Sequence, residues 1–110
     1  MTAAEFQKMA LSLPETAESA HMDHPDFRVR GKIFATLPLA GKGMVKLTPE
    51  QQVEFVHDHP ETFEPVQGGW GRRGATYVNL KSVKKAVLHR AMLRAWRNTA
   101  PRNLAGPYEE

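Results

Sequence analysis

Two groups of residues in this 110-residue chain have the types and spacing for chemistry: two histidine pairs, and two arginines beside a tryptophan among glycines. His21-Met22-Asp23-His24 and His57-Asp58-His59 each bring imidazole and carboxylate together, the usual components of a metal site. On one strand, however, His21 and His24 point to opposite faces. On a helix, His57 and His59 diverge by about 200°. A metal site would require the fold to unite the two pairs, so no metal and no cofactor are expected. The chain has no cysteine, which excludes thiol nucleophiles, disulfides and the common zinc ribbons. Ser12, Ser19 and Ser82 occupy cap or boundary contexts. Neither a nucleophile elbow nor a phosphate-binding glycine motif is present. No catalytic residue is assigned, and the chain reads as a non-enzyme.

The stretch Val66-Gln67-Gly68-Gly69-Trp70-Gly71-Arg72-Arg73-Gly74-Ala75 points to binding. Four glycines in seven positions allow positive φ and close backbone approach. Trp70, Arg72 and Arg73 belong to the side-chain types enriched at recognition hot spots, and arginine binds phosphate through two parallel hydrogen bonds. The alternative is a flexible hairpin connection with solvated arginines and Trp70 folded back over the core.

Charge distribution favours binding. Residues 1–65 hold six Lys/Arg against ten Asp/Glu, whereas residues 66–110 hold nine Lys/Arg against Glu109 and Glu110 alone. A basic half on a small domain suits a polyanionic partner, unless the acidic half neutralises it internally. Arg90, Arg94 and Arg97 recur at helical spacing opposite the apolar stripe Leu88, Ala91, Met92 and Ala95. Lys84 and Lys85 load the first turn, where the helix dipole disfavours cations.

The elements that must position these residues follow from patterning. Thr2-Ala3-Ala4-Glu5 is a capping box, and Phe6, Met9, Ala10 and Leu13 mark one buried helix face up to Pro14. Glu18 to Leu47 reads as a three-stranded antiparallel meander with turns at Gly31-Lys32 and Gly41-Lys42-Gly43. Thr48-Pro49-Glu50-Gln51 starts a second helix with Val53 and Val56 on one face and Phe55 beside them, ended by Pro60. Phe63–Val66 and Thr76–Leu80 are extended on either side of the glycine stretch, which makes that stretch a hairpin tip. The last helix runs from about Ser82 to Asn98. One domain is expected over residues 1–101, with residues 102–110 a loose tail. No secretory leader is legible, and the longest apolar run, Ile33 to Ala40, is too short for a bilayer. A cytoplasmic protein without membrane association is expected.

Three segments together resemble the MmcQ/YjbR family: Asp26 to Ala35, Pro65 to Gly74 with its Gly-Gly-Trp-Gly-Arg-Arg-Gly, and Ala95-Trp96-Arg97-Asn98-Thr99-Ala100-Pro101. The resemblance implies an α+β fold: a compact two-layer α/β sandwich of order α-β-β-β-α-β-β-α, its antiparallel sheet carrying helices on one face. It also implies a double-wing DNA-binding arrangement. The nucleic-acid contacts expected on this reading are Trp70, Arg72, Arg73, Lys81, Arg90, Arg94 and Arg97. The same fold is similar to that of secretion chaperones. The alternative is therefore a non-catalytic protein-interaction module that meets an acidic protein partner.

Overall fold

A computed structural model describes residues 1–106. Six strands form one antiparallel sheet in the order β1-β2-β3-β4-β6-β5. They are β1 (Thr16–His21), β2 (His24–Val29), β3 (Lys32–Leu39), β4 (Lys42–Lys46), β5 (Phe63–Pro65) and β6 (Ala75–Asn79). Helices α1 (Ala3–Leu11), α2 (Pro49–Asp58) and α4 (Lys85–Thr99) cover one face, and α3 (Gly69–Arg72) and α5 (Arg102–Ala105) are single turns. The fold is the expected α+β two-layer arrangement, with one more strand in the amino-terminal half and two extra helical turns.

That extra strand corrects the reading of the first histidine pair. Met22 and Asp23 both adopt positive φ, at 50° and 65°, and make a two-residue hairpin turn. His21 and His24 are consequently cross-strand partners on one face, rather than neighbours on one strand facing opposite ways.

α1 and α2 both begin with complete capping boxes, at Thr2/Glu5 and Thr48/Gln51. α2 is turned slightly from the expected orientation: Phe55 and Val56 pack on the core, but Val53 does not. Gln52 and Phe55 are buried while Val53 is 67% exposed, because Phe55 packs on Phe63 of β5 with ring centres 5.1 Å apart. α4 buries Leu88, Ala91, Met92, Ala95 and Trp96 against the sheet, and the Trp96 indole N–H donates to the Pro14 carbonyl at 3.1 Å.

Register along β2 and β3 slips at Phe27/Arg28, where Ala35 and Ile33 become successive partners and Phe34 is the extra residue. Phe34 and Ala35 are both fully buried in consequence, and such a bulge bends the sheet. Away from the helices the sheet shows an open face. There Thr36, Met44, Tyr77 and Glu64 lie in one row across β3, β4, β6 and β5.

Residues 102–105, expected in a loose tail, instead form α5, and Ala105 joins the core at 7% exposure. The backbone N–H groups of Leu104 and Ala105 donate to the Pro101 carbonyl and close the turn. Residues 107–110, the rest of that tail, lie outside the described residues. No described helix is long and apolar enough to cross a membrane.

Candidate nucleic-acid interface

β5 and β6 pair as a hairpin, so the glycine stretch does join two strands. Its tip is ordered by packing. A Cβ on Gly71 would lie 1.5 Å from the Val66 carbonyl oxygen, and one on Gly74, at φ +113°, would lie 1.9 Å from that of Leu47. These glycines permit contact between backbones. The buried amide of Gln52 reaches in from α2 and donates to the carbonyls of Gly71 and Ala75, both at 3.0 Å. Its amide nitrogen also lies 3.1 Å from the Thr76 hydroxyl, which itself donates to the Gly74 carbonyl at 2.8 Å.

On this pinned turn Trp70 is 59% exposed, and Arg72 and Arg73 are exposed beside it. The Lys46 ammonium sits 5.1 Å from the centre of the Trp70 ring, and the Arg73 guanidinium 5.9 Å. Both distances are within cation–π range. Burial without a compensating carboxylate pushes the Lys46 pKa down.

The arginine row of α4 divides in two. Arg90 and Arg94 lay their guanidinium groups 5.8 Å from the Phe55 ring centre, and Arg94 stands 3.9 Å from the Glu54 carboxylate. Arg97 shares a cleft of about 220 Å³ with Arg94, Arg102 and Asn98. Asn98 joins this cleft to the turn. Its amide donates to the Lys46 carbonyl at 3.1 Å and to Gln51 Oε1 at 2.8 Å, and on its other side it lines a second cleft with Trp70, Arg73 and Lys46.

Trp70, Arg73, Arg94 and Arg97 are thus brought to one end of the molecule, with Arg72 next to them on the same turn. Lys81 is not among them. It follows the far end of β6, about 14 Å along the strand from the turn. Arg90 lies about 10 Å up the α4 axis from Arg97. Three contributors escaped the sequence reading. Lys46 alternates with Val45 in a strand pattern, Arg102 falls in the expected tail, and Asn98 acts only through tertiary contacts.

The arginines differ sharply in how their charge is met. Arg28 clasps the buried Asp26 at 2.8 and 3.1 Å, and Arg30 clasps Glu15 at 2.6 and 3.0 Å, each through a two-pronged fork. These carboxylates hold the Arg28 and Arg30 pKa values above the ordinary value, and each guanidinium holds its carboxyl below the usual range. Among the described residues, Arg72, Arg73, Arg90, Arg97 and Arg102 have no carboxylate within 4.0 Å. Two of the histidines go to local partners, His21 Nδ1 to Asp26 at 2.7 Å and His57 Nδ1 to Asp58 at 3.1 Å. Among the described residues no three or more His, Asp or Glu side chains converge to hold a metal ion.

Comparison with known proteins agrees with this architecture. The fold is similar to the crystal structure of Deinococcus radiodurans protein DR2400, with family-model domain DUF419. The match has 19% sequence identity, covers 88% of this chain and 77% of that one, and has a TM-score of 0.72. At that identity the likeness concerns the fold alone. No curated protein matches the sequence. The family model YjbR matches residues 11–98. With most of its length so matched, and with the resembling segments placed as described, the chain belongs to the YjbR family.

Proposed function

We propose that this chain is a cytoplasmic DNA-binding module that grips the phosphate backbone with the end of the molecule formed by α3 and the carboxyl-terminal part of α4. The observation that carries this reading is the contrast in ion pairing. Arg28 and Arg30 are forked onto carboxylates, while Arg72, Arg73, Arg97 and Arg102 cluster at one end without one among the described residues. Clustered cations of one sign repel each other, and a polyanion relieves that repulsion while releasing its own counterions. The β5–β6 hairpin acts as a wing: Arg72 and Arg73 contact phosphates, and Trp70 packs on a sugar or an unstacked base. Contacts of this kind position a protein without reading sequence. A cytoplasmic setting fits a chain without cysteine.

The test is fluorescence anisotropy with labelled duplex and single strand at about 50 mM salt, a regime in which phosphate contacts are strong. Binding with a steep salt dependence supports the proposal. An unchanged signal for both strands at low salt defeats it.

A second reading, a non-catalytic module for an acidic protein partner, rests on the exposure of Trp70, since a large aromatic on a rigid turn suits a protein hot spot. It predicts that both nucleic-acid probes fail.

A further inference from the structure

The open face of the sheet holds a feature that phosphate binding leaves unused. The sheet curls enough for His21 on β1 and Trp70 ahead of β6 to line one cleft of about 290 Å³, although β2, β3 and β4 lie between those strands. A flat sheet would hold β1 and β6 about 19 Å apart. The floor is apolar, built by Ile33, Met44 and Val66, and the rings of Trp70 and Tyr77 also line it. That volume lies at the small end of ligand pockets, which run from about 300 to 1,000 Å³. It suits one or two fused rings.

The polar groups of this face define the rest of the ligand. Its carboxylates are already engaged: Asp26 by Arg28 and His21, and Glu64 by Lys42 at 3.4 Å. Lys46, at the cleft margin, has no carboxylate within 4.0 Å among the described residues. Thr36 is 5% exposed and lines the same cleft, and its hydroxyl meets no hydrogen-bond partner among the described residues. A half-buried ammonium and a free hydroxyl beside an apolar floor are the complement of an anion attached to a flat apolar body.

We propose that the curled open face of the sheet is a binding site for a planar one- or two-ring aromatic carboxylate, its ring lying on Met44 between Trp70 and Tyr77 and its carboxylate meeting Lys46. This site shares Trp70 and Lys46 with the proposed interface but uses none of its arginines, and it does not depend on DNA binding.

The experiment titrates the intact chain with 2-naphthoate and with its neutral counterpart naphthalene-2-carboxamide, following backbone amide NMR shifts and Trp70 fluorescence. Saturable binding of the acid is expected, with shifts centred on β3, β4 and β6. The acid should bind at least about tenfold more tightly than the amide, the discrimination given by one partly desolvated charge-assisted contact. Lys46→Met keeps the aliphatic stem and should reduce the acid to the affinity of the amide. Lys46→Arg should retain the preference, and Met44→Trp, which fills the floor, should abolish binding of both. Equal affinities for acid and amide in the unaltered protein, no saturation by about 10 mM, or shifts centred on Arg97 and Arg102 would overturn the proposal, all three without any variant having to fold.

Discussion

Gln52, on α2, donates its side-chain amide to the carbonyl of Gly71, nineteen residues on, and this bond ties the α3 turn to the body of the domain. The same nitrogen serves the Ala75 carbonyl at 3.0 Å. Each carbonyl also accepts a backbone N–H, Gly71 from Gly74 and Ala75 from Val66, both at 3.0 Å, so Gln52 adds a second bond to each in a buried place where water does not compete. Gln52→Leu keeps the volume and removes both side-chain bonds, while each carbonyl keeps its backbone donor. A hydrogen bond of this kind contributes about 0.5–1.5 kcal/mol net. A loss of about 1–2 kcal/mol, or roughly 5–8 °C in melting temperature, is expected by calorimetry. An unchanged melting temperature would show that the amide is dispensable.

Gly71→Ala tests the turn from the backbone side. A methyl group placed 1.5 Å from the Val66 carbonyl oxygen forces main chain to move. The expected cost is about 3 kcal/mol or more, in the range of severe overpacking. Gly68→Ala is the contrast, since a Cβ there meets nothing within 4 Å and the penalty comes only from its φ of +80°. Urea titration of the two variants should show the larger loss at position 71.

Asp26 and Arg28 govern acid sensitivity. The Arg28 fork holds the Asp26 carboxyl below its ordinary 3.8, helped by the hydrogen bond from His21 and opposed by burial. The unfolded chain carries an ordinary carboxyl. The clasp therefore stabilises fully above about pH 4, and its contribution disappears as pH falls through the lower folded value. Denaturation midpoints measured from pH 5 to pH 2 should fall more steeply for the unaltered protein than for Asp26→Asn. A residual slope from Glu15, also held low by its arginine, should remain in the variant. Parallel slopes would contradict the assignment.

Arg72→Ala/Arg73→Ala addresses the DNA-binding proposal. Both side chains are exposed and without a carboxylate partner among the described residues, so melting should shift by no more than about 0.5 kcal/mol equivalent. If about four phosphates are neutralised, the slope of log K against log salt is near −3.6 for duplex, and the double variant should bring it to about −1.8. An unaltered slope would remove these arginines from the interface. A large fall in melting temperature would make them structural. Lys81→Ala, at the far end of β6, should leave the slope unchanged.

The local grammar of this chain was legible residue by residue. Thr2/Glu5 and Thr48/Gln51 cap helices because both halves of each box lie within one turn. The stripe Leu88, Ala91, Met92 and Ala95 marks the buried side of α4 by its period alone. α2 misled at Val53, because its inward face is chosen by Phe63 and by the acceptors around Gly71, none of them near it in sequence. Glycine composition leaves the 66–75 turn open to both looseness and close approach, since composition does not distinguish a glycine that frees a backbone from one that lets two backbones touch.

What the sequence determined by itself was the kind of surface: a carboxyl-terminal half rich in cations and poor in acids, with Trp70, Arg72 and Arg73 between two strands. The helix period and the two capping boxes likewise needed no neighbour to be read. Only the tertiary structure decided which charges were spoken for, forking Arg28 onto Asp26 and Arg30 onto Glu15 while leaving Arg73 and Arg97 without a carboxylate among the described residues. It alone curled the sheet so that His21, Lys46 and Trp70 border one hollow. The Arg28 fork runs along β2 to a residue two positions away, but the Arg30 fork and the curvature depend on distances between elements, and those distances exist only once the bulge at Phe34 and the strand order have placed β1 through β6 side by side.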